Sequence, residues 1–482
     1  MAVKRFYADQ DNTITNAYKQ NLTSRATGSN MGAADIIEIF SIYGQATTSS
    51  AELQRALVRF NITDISTART DGNIPALGSV NFFFRAFNCP HQNTTPSDFK
   101  LVVAPVSESW DEGVGLDMDE YAEKDTSNWV SRSAGNAWEV AGGDYLTGSL
   151  DNFYEQTFST GLEDLSIDVT DQVEDWISAA TGNYGFGIFL TSSLETDTVS
   201  YYTKKFFGRG SEFFFKRPVL EARWDGSKKD NRGNFVISSS LLSTADNLNK
   251  LYLYNVFKGA YKDIPNLDTV SESTVGLIVS LYRDALTDTV PASFTASWAS
   301  TGIYSASVFL NTTASVLYDV WSTGSFVTDD LARATQYHTG SITLNTHVAG
   351  TKNPSDSYII SMTNLRKAYE TDEKARFRVY ARNKNWNPTI YTAASTNIAT
   401  SMVESLYYRI SREADDLVVV DFGTGSIKYT ATSYDVSGNY FDFDMNLLEP
   451  GYSYIVSFLA EENGNKKLVK NTFRFRVEES DS

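Results

Sequence analysis

The stretch of sequence that decides the fold reads LSIDVTDQVEDWISAATGNYGFGIFL, from Leu165 to Leu190. It predicts a strand, then a short helix, then a second strand. Val173, Trp176 and Ile177 recur at helical spacing, as they do on a helix face that packs against a sheet. A helix fixed by a tryptophan onto a sheet is a packing device, and none of its side chains is reactive. The stretch therefore favours a structural or binding protein.

The ends of this helix are also predicted from the sequence. Thr170 is the expected N-cap, because its hydroxyl can accept a hydrogen bond from a free backbone N–H. Asp171 is favourable in the first turn, where the helix dipole attracts negative charge. Gly182 is the expected terminator. Phe186 to Leu190 then alternate with the period of a buried strand.

The composition favours strands over helices throughout the chain. With 482 residues, the chain is too long for one hydrophobic core, so two to four domains are expected. Aromatic residues make up 13% of the sequence and charged residues only 21%. Such a mixture suits half-buried pleated surfaces. We predict an all-β, multi-domain β-sandwich protein.

The charge balance disfavours nucleic-acid binding. The formal net charge is −18, and a surface this acidic is repelled by a phosphate backbone. A solvated sheet face is the favoured interpretation of the densest basic region, and it predicts no nucleic-acid partner. That region contains Lys204, Lys205, Arg209, Lys216 and Arg217.

Export, disulfides and metal sites are not indicated. Cys89 is the single cysteine, and the histidines His91, His338 and His347 lie far apart, so we expect no metal centre and no cofactor. The first residues carry no signal peptide, and no segment is long and apolar enough to span a membrane. Proteins that are assembled into a virus particle in the host cytoplasm and released by lysis share this combination.

Residues 1–225 are predicted to form one domain. Three runs have the alternation of strands, Ala56–Ile62, Asn81–Asn88 and Lys100–Val106. Long polar loops occupy residues 107–160, and loops of this length tend to be functional or to cover a sheet edge. The domain closes on Glu212–Trp224, where Pro218 interrupts pairing before the last strand.

The order of motifs in this domain resembles the jelly-roll, carbohydrate-binding-like modules called DNRLRE-domain proteins. The resemblance covers Phe6 to Trp224, and it implies that Trp129, Trp138, Asp168, Thr170 and Trp176 are structural signature residues. The usual Ser-Arg-Glu near the end appears here only as FFGRGSE. The matching pieces are YADQDNTI (7–14), RALVRFNI (55–62), WDEGVG (110–115), SNW (127–129), WEVAGGDY (138–145), DVTDQVEDW (168–176), GFGIFL (185–190) and RPVLEARW (217–224).

Two further domains are predicted after a polar linker at residues 225–234. The second covers residues 235–350, where short strands at regular spacing favour an immunoglobulin-like sandwich. A boundary is expected at residues 346–356, and the third domain covers residues 355–482. The expected strands of the second domain are 251–257, 275–282, 292–298, 303–310 and 316–321.

The third domain resembles fibronectin type III and immunoglobulin-like modules. LEPGYSY, residues 448–454, is similar to the tyrosine-corner signature, which implies that the Tyr454 hydroxyl bonds to a backbone group upstream. Phe441, Phe443 and Met445 alternate as in a strand, and Asn463-Gly464 predicts a hairpin turn. The segments ARNKNWNPTI and YDVSGNYFDFDMNLLEPGYSY also resemble virion structural proteins of tailed phages, especially large contractile-tailed marine phages.

Catalytic motifs are not found. Cys89 and His91 could in principle form an activated thiolate, but a partly buried free thiol is the favoured interpretation. With 59 acidic residues, carboxylate pairs for glycoside hydrolysis have no discriminating value. An acidic loop offers oxygen ligands for Ca²⁺, although a solvated loop is favoured. Its acidic residues are Asp111, Glu112, Asp117, Asp119 and Glu120.

One tryptophan is a candidate for contact with a sugar, because aromatic rings near polar loops pack against pyranose rings. Trp110 is that candidate, although core packing is the favoured interpretation for it, and it is favoured still more for Trp129 and Trp138. The resulting hypothesis is a non-enzymatic structural protein in the neck, tail or capsid surface of a tailed-phage virion. Its expected partners are other virion proteins and further copies of itself. The alternatives are an adhesin module for host glycans and, less favoured, a glycan hydrolase or lyase.

Overall fold

A computed structural model describes residues 2–148, 153–265, 267, 276–286, 292–323, 335–346, 358–384, 390, 400–462 and 464–480. The chain divides into two compact units, Ala2–Asp225 and Gly226–Ser482. The predicted all-β, β-sandwich fold class is confirmed, because the described residues form several sheets with only short helices. The predicted boundary at 346–356 lies almost entirely outside the described residues, so the division of the second unit into two domains stays a prediction.

The described residues of the first unit form twelve strands, three short helices and a 3₁₀ turn at Phe214–Lys216. The strands are β1 Val3–Thr15, β2 Ile36–Tyr43, β3 Ala51–Phe60, β4 Asn81–Ala86, β5 Phe99–Pro105, β6 Ser131–Ser133, β7 Asn136–Ala137, β8 Tyr154–Phe158, β9 Leu165–Asp168, β10 Phe186–Leu190, β11 Tyr201–Phe207 and β12 Val219–Arg223. The helices are α1 Ile62–Thr70, α2 Thr170–Ile177 and α3 Ser192–Glu195.

Strand β1 belongs to both halves of the main sheet. Its first half pairs with β12, from Val3 opposite Arg223 to Tyr7 opposite Val219. Its second half pairs with β3, and the register shifts between Ala8 and Gln10. An extra residue of this kind bends a strand and increases its twist, which lets one strand join two layers. The order is β8-β5-β10-β3-β1-β12-β4-β9, with β2 on β3 and β11 on β2.

The deciding stretch forms β9, α2 and β10, so the predicted order of strand, helix and strand is confirmed. Trp176 is buried, and its ring lies 4.7 Å from the ring of Phe186. Phe186 in turn stacks on Phe84 at 5.6 Å, across the core. The helix therefore joins the two layers through a continuous aromatic cluster.

The predicted ends of this helix were wrong. Thr170 is the first helical residue, and its hydroxyl accepts from the Phe82 backbone N–H at 2.9 Å while it donates to Asp168. The bond from Phe82 ties the helix to strand β4, which a capping hydroxyl would not do. The helix ends at Ile177, and Ala179, with φ 59°, takes the left-handed conformation expected of Gly182.

Two other strand boundaries were also wrong. Ile62 begins helix α1, because the Asn61 side chain accepts from the Thr63 backbone N–H and caps a helix there. Met445 lies in a 3₁₀ turn after its strand, where the Asp444 side chain accepts from the backbone N–H of Asn446. In both places a polar side chain that bonds to the backbone ends the alternation.

The second unit contains the remaining strands and 3₁₀ turns at Asn231–Gly233 and Met445–Leu447. The strands are β13 Phe235–Ile237, β14 Asn249–Tyr254, β15 Val256–Phe257, β16 Ala260–Tyr261, β17 Leu277–Arg283, β18 Ala292–Thr295, β19 Ser297–Ser300, β20 Ile303–Val308, β21 Leu317–Thr323, β22 Gln336–Ile342, β23 Leu344–Thr346, β24 Tyr358–Met362, β25 Ala368–Glu370, β26 Lys374–Asn383, β27 Leu406–Arg412, β28 Val418–Val420, β29 Ser433–Asp435, β30 Gly438–Asp444, β31 Ser453–Glu462, β32 Asn465–Leu468 and β33 Phe473–Glu478.

Sheets β14-β20-β19 and β18-β17-β21-β22 enclose one core, which includes Trp321 and Tyr304. Sheets β24-β26-β30-β29 and β25-β33-β31-β27-β28 form the C-terminal part. There the Tyr454 hydroxyl donates to the Glu449 carbonyl at 2.8 Å, which is the bond that the tyrosine-corner resemblance implies. Of the predicted hairpin turn, Gly464 has φ 79° and Asn463 lies outside the described residues.

The linker was predicted at residues 225–234, but all of these residues except Asp225 belong to the second unit. Arg232 is half-buried and pairs with two buried carboxylates, Asp319 at 2.6 Å and Asp230 at 2.7 Å. The Asp230 N–H donates to the Tyr434 carbonyl at 3.0 Å. The polar composition of this segment therefore reflects buried ion pairs, not solvent exposure.

Candidate ligand groove

The first unit carries a groove that is lined by side chains of β1, β2 and β3 and by two loops. Along β2, Ile37 and Ile39 point into the core, whereas Glu38, Phe40 and Ile42 point into the groove. This follows from the two-residue period of a strand. The groove has a volume of about 570 Å³, which is within the range of ligand pockets.

The pairing of β2 with β3 determines which side chains form the floor of the groove. Phe40 lies opposite Gln54, and Ile42 lies opposite Glu52. Each pair puts an apolar side chain beside a carboxylate or an amide. The floor therefore offers apolar surface and hydrogen-bonding groups side by side.

Two loops form the walls, and Asn30 holds them together. Its side-chain amide donates to the Glu112 carbonyl at 2.6 Å and to the Ser127 carbonyl at 2.8 Å. Gly115 passes so close that a Cβ there would lie 2.0 Å from the Asn30 carbonyl oxygen. The glycines of the WDEGVG motif thus permit the close approach of the loop that carries Leu116, Asp117 and Met118 to the groove.

The carboxylates of the groove have fixed partners. Glu38 accepts from the Thr203 hydroxyl at 2.8 Å and pairs with Lys205 at 3.3 Å. Glu52 is buried and accepts from the Tyr18 backbone N–H at 2.8 Å. Side chains that are held in this way are suited to binding, because little conformational freedom is lost when a ligand binds.

One exposed tyrosine stands at the edge of the groove. Tyr202 packs edge-on against Phe40, with ring centroids 5.5 Å apart, and keeps 37% of its surface exposed. Sequence reasoning missed Glu38, Phe40, Glu52, Gln54 and Tyr202. The available signal was the alternation of apolar and polar residues in IIEIFSIY and AELQRALVRF, which places a polar row on one sheet face.

The candidate for sugar contact does not lie at the groove. Trp110 is only 4% exposed, and its indole N–H donates to the Tyr184 carbonyl at 2.8 Å. It packs with Trp129 and Trp138 around Ile14 in a second hydrophobic cluster. This burial agrees with core packing, the interpretation that the sequence favoured for Trp110, and leaves its ring faces covered by neighbouring side chains.

The acidic loop is organised by protein groups. Asp117 accepts from the backbone N–H groups of Asp119 and Glu120 at 2.7 Å each. Glu112 pairs with Arg209 of the FFGRGSE segment at 2.8 Å. Among the described residues, no group of three or more His, Cys, Asp or Glu side chains is placed to hold a metal ion. The structure therefore gives the Ca²⁺ hypothesis no support.

The basic region is not the solvated face that was predicted. Lys204 is 1% exposed, and its ammonium donates to Asn88 Oδ1 at 2.6 Å and to the carbonyls of Gly161 and Glu163 at 2.8 Å each. Three acceptors match the three N–H bonds of the group. Burial lowers the pKa of Lys204 to about 8, against attraction from Asp164. The role of Lys204 is to fix the 161–163 turn.

Cys89 and His91 show no sign of nucleophile activation. Burial raises the pKa of the Cys89 thiol, an effect that Lys205 and Lys216 oppose. A raised pKa leaves less thiolate at neutral pH, whereas a reactive cysteine needs a lowered one.

Asp11 lies buried beside Glu112 and Arg209, and the Arg209 backbone N–H donates to its carboxylate. Burial raises the pKa of Asp11 to about 7. Since this value exceeds the unfolded one of 3.8, the folded unit holds the proton more tightly. The contribution to stability is complete below pH 3.8 and is lost as the pH rises through about 7.

We therefore expect the stability of the Asp11→Asn variant, relative to that of wild type, to increase as the pH rises. Between pH 5 and pH 8, the difference in free energy of unfolding should change by about 2 kcal/mol in favour of the variant. Urea unfolding at both pH values measures this change. Asp9→Asn is the matched control, because Asp9 is half-exposed and pairs with Arg59. If Asp11→Asn altered the free energy of unfolding by the same amount at both pH values, the prediction would be contradicted.

Comparisons with known proteins identify no relative. No family model and no curated protein match the chain. A chimeric titin Z1Z2 fragment carrying a decorin peptide superposes with a TM-score of 0.15 at 10% identity, over 42% of this chain and 82% of that one. A DUF4785 family protein from Legionella pneumophila gives 0.15 at 7% identity, over 99% and 90%. Superpositions this weak carry no argument about function.

Proposed function

We propose that this protein is a non-enzymatic structural component of a tailed-phage virion, in the neck, tail or capsid surface, and acts through protein contacts of its β-sandwich modules. The observation that carries the proposal is the use made of its buried charged groups. Lys204, Glu221 and Asp319 are each bound by side chains or carbonyls of their own unit. Charged side chains that could take part in catalysis thus stabilise the fold instead.

The surface supports the same proposal. The described part of the second unit exposes large apolar side chains in a short hairpin, among them Val256 and Phe257. Exposed apolar side chains on rigid sheets are typical of surfaces that meet another protein. Among the described residues, no helix has the length and apolar character needed to cross a membrane.

Quantitative mass spectrometry of purified particles of the encoding phage tests this proposal. The expected result is a fixed number of copies per particle, equal between independent preparations and resistant to washing at high salt. Absence from purified particles would contradict the proposal.

A second candidate function is recognition of host surface glycans, and the groove is the observation that favours it. Aromatic Tyr202 and Phe40 stand beside the planar polar groups of Gln54 and Glu52. Sugars are commonly bound through an aromatic ring on one side and directional hydrogen bonds from planar side chains on another.

If the groove binds a glycan, Tyr202→Ala should weaken binding of the full chain to host polysaccharide at least tenfold, about 1.4 kcal/mol. Isothermal titration calorimetry gives the affinity. Tyr452→Ala is the matched control, because Tyr452 is also 37% exposed and lies in the other unit. Equal affinity of both variants and wild type would exclude the groove as the glycan site.

A further inference from the structure

A two-stranded hairpin, β15–β16, projects from the second unit. Val256 pairs with Tyr261 and Phe257 with Ala260, so Lys258 and Gly259 form a two-residue turn. Both turn residues have positive φ, 50° and 79°. This is the conformation of the type I′ turn, whose twist matches that of the strands it joins.

The base of the hairpin is anchored. The Asn255 side chain donates to the Lys262 carbonyl at 2.6 Å, and the Asn255 N–H donates to the Gly302 carbonyl at 2.8 Å. Asp263 accepts from the Gly302 N–H at 2.7 Å and from the Trp298 indole at 3.0 Å. The hairpin is therefore held in one orientation, and little entropy is lost if it binds.

Its tip combines an aromatic ring with positive charge. Phe257 is 55% exposed, and Lys258 and Lys262 lie over its ring at 5.4 and 5.8 Å. Among the described residues, no carboxylate lies within ion-pair distance of either lysine. An aromatic side chain beside two cations is complementary to an apolar pocket with negative charge at its rim.

The groove of the first unit has these properties. Apolar side chains line it, including Phe40, Ile42 and Met118, and its volume accommodates a phenyl ring. None of the described lining residues carries a positive charge, and three carry carboxylates. Asp117 and Glu38 are accessible, although Glu38 also pairs with Lys205 at 3.3 Å, whereas Glu52 is buried. Two copies of a chain with a net charge of −18 repel each other in most orientations. The orientation that brings the basic hairpin of one copy to the acidic groove of the other is attractive.

We propose that the groove of one copy receives the β15–β16 hairpin of a second copy, with Phe257 inside it and the two lysines facing its accessible carboxylates, Asp117 and Glu38. This proposal rests on the proposed structural function, because it names a partner for it. The two surfaces differ, so the contact is heterologous and joins copies head to tail into a ring or a filament. That is the geometry that a multi-copy particle component needs.

The contact is small, so its strength in solution is modest. A hairpin tip in one groove lies at the low end of specific interfaces, for which a dissociation constant of about 10 to 100 µM is expected. Many identical contacts in one assembly then reinforce each other.

Sedimentation velocity of the full chain, up to about 1 mM, tests the proposal. We expect concentration-dependent self-association of wild type that weakens in 0.5 M salt, because exposed charges are screened. Phe257→Ala should weaken self-association at least tenfold. Leu116→Lys, which adds a positive charge to an exposed residue of the groove rim, should do the same.

Mixing the two variants separates this contact from any other. The Phe257→Ala chain keeps an intact groove, and the Leu116→Lys chain keeps an intact hairpin. The mixture should therefore form a one-to-one complex near wild-type affinity, although each variant alone associates at least tenfold more weakly. Phe309→Ala is the matched control, because Phe309 is 54% exposed elsewhere in the second unit. Its self-association should equal that of wild type.

Three outcomes would overturn the proposal. One is a wild-type chain that stays monomeric at about 1 mM. Another is self-association that both variants retain, and the third is a mixture that fails to associate. None of these results removes the protein from phage particles, so failure here is distinguishable from failure of the proposed function. If the protein were absent from particles but still self-associated, the proposed function would fail and the hairpin–groove contact would stand.

Discussion

Replacing Glu221 by glutamine is expected to destabilise the first unit by about 3–5 kcal/mol. Glu221 pairs with Arg5 at 2.8 Å, with Arg223 at 2.7 Å and with Arg85 at 3.3 Å. It is also almost fully buried. Removing its charge leaves three guanidinium groups close together without the carboxylate that they share, and an uncompensated buried charge is far more costly than a lost surface pair.

The pH dependence of this cluster has a definite sign. Burial alone would raise the pKa of Glu221, but the attraction of Arg5, Arg85 and Arg223 holds it well below its usual value of 4.5. A depressed pKa contributes stability that is present above pH 4.5 and is lost as the pH falls further. Glu221→Gln should therefore lose part of the acid sensitivity of the first unit.

Urea unfolding at pH 7 and pH 4 measures both effects. The matched control is Glu155→Gln, because Glu155 pairs with Lys100 on the surface of the same unit, where both side chains are exposed. An exposed pair of this kind contributes about 0–1 kcal/mol. If the two variants were equally destabilised, the buried cluster would not have the role assigned to it.

Trp176→Ala is expected to cost about 3–5 kcal/mol of the stability of the first unit. The indole ring fills the space between helix α2 and the Phe186 ring, and truncation leaves a cavity that the flanking sheets cannot close. Chemical denaturation followed by circular dichroism measures the loss.

Val199→Ala is a control for truncation alone, because Val199 is 55% exposed in the same unit. It should change the free energy of unfolding by less than about 0.5 kcal/mol. A Trp176→Ala protein with wild-type stability would show that α2 is not the element that joins the two layers.

The fold class was accessible from the sequence because periodicity reports burial directly. The Leu165–Leu190 stretch predicted its strands and the packing of Trp176 correctly. The helix ends were wrong because they depend on a tertiary contact, the bond from the Phe82 N–H to the Thr170 hydroxyl. A propensity for capping cannot reveal a partner on a distant strand.

The candidate site was much less accessible. The groove forms where β2 and β3 pair and where Asn30 holds two loops above them, over sequence separations of more than 80 residues for its bonds to Glu112 and Ser127. Trp110 was a reasonable candidate from its place in a polar loop, yet burial turned it into a core residue. Likewise, the charges of residues 226–234 and of Lys204 suggested solvent exposure. Arg232 instead pairs with buried Asp319, and Lys204 donates to the Gly161 carbonyl.

A map of the whole phage particle, with this chain labelled, tests the central claim most directly. We expect density for the chain in several symmetry-related copies in the neck, tail or capsid surface, with adjacent copies in head-to-tail contact. A particle map without the labelled chain, together with release of reducing ends from host polysaccharide by the purified protein, would contradict a structural role in the virion.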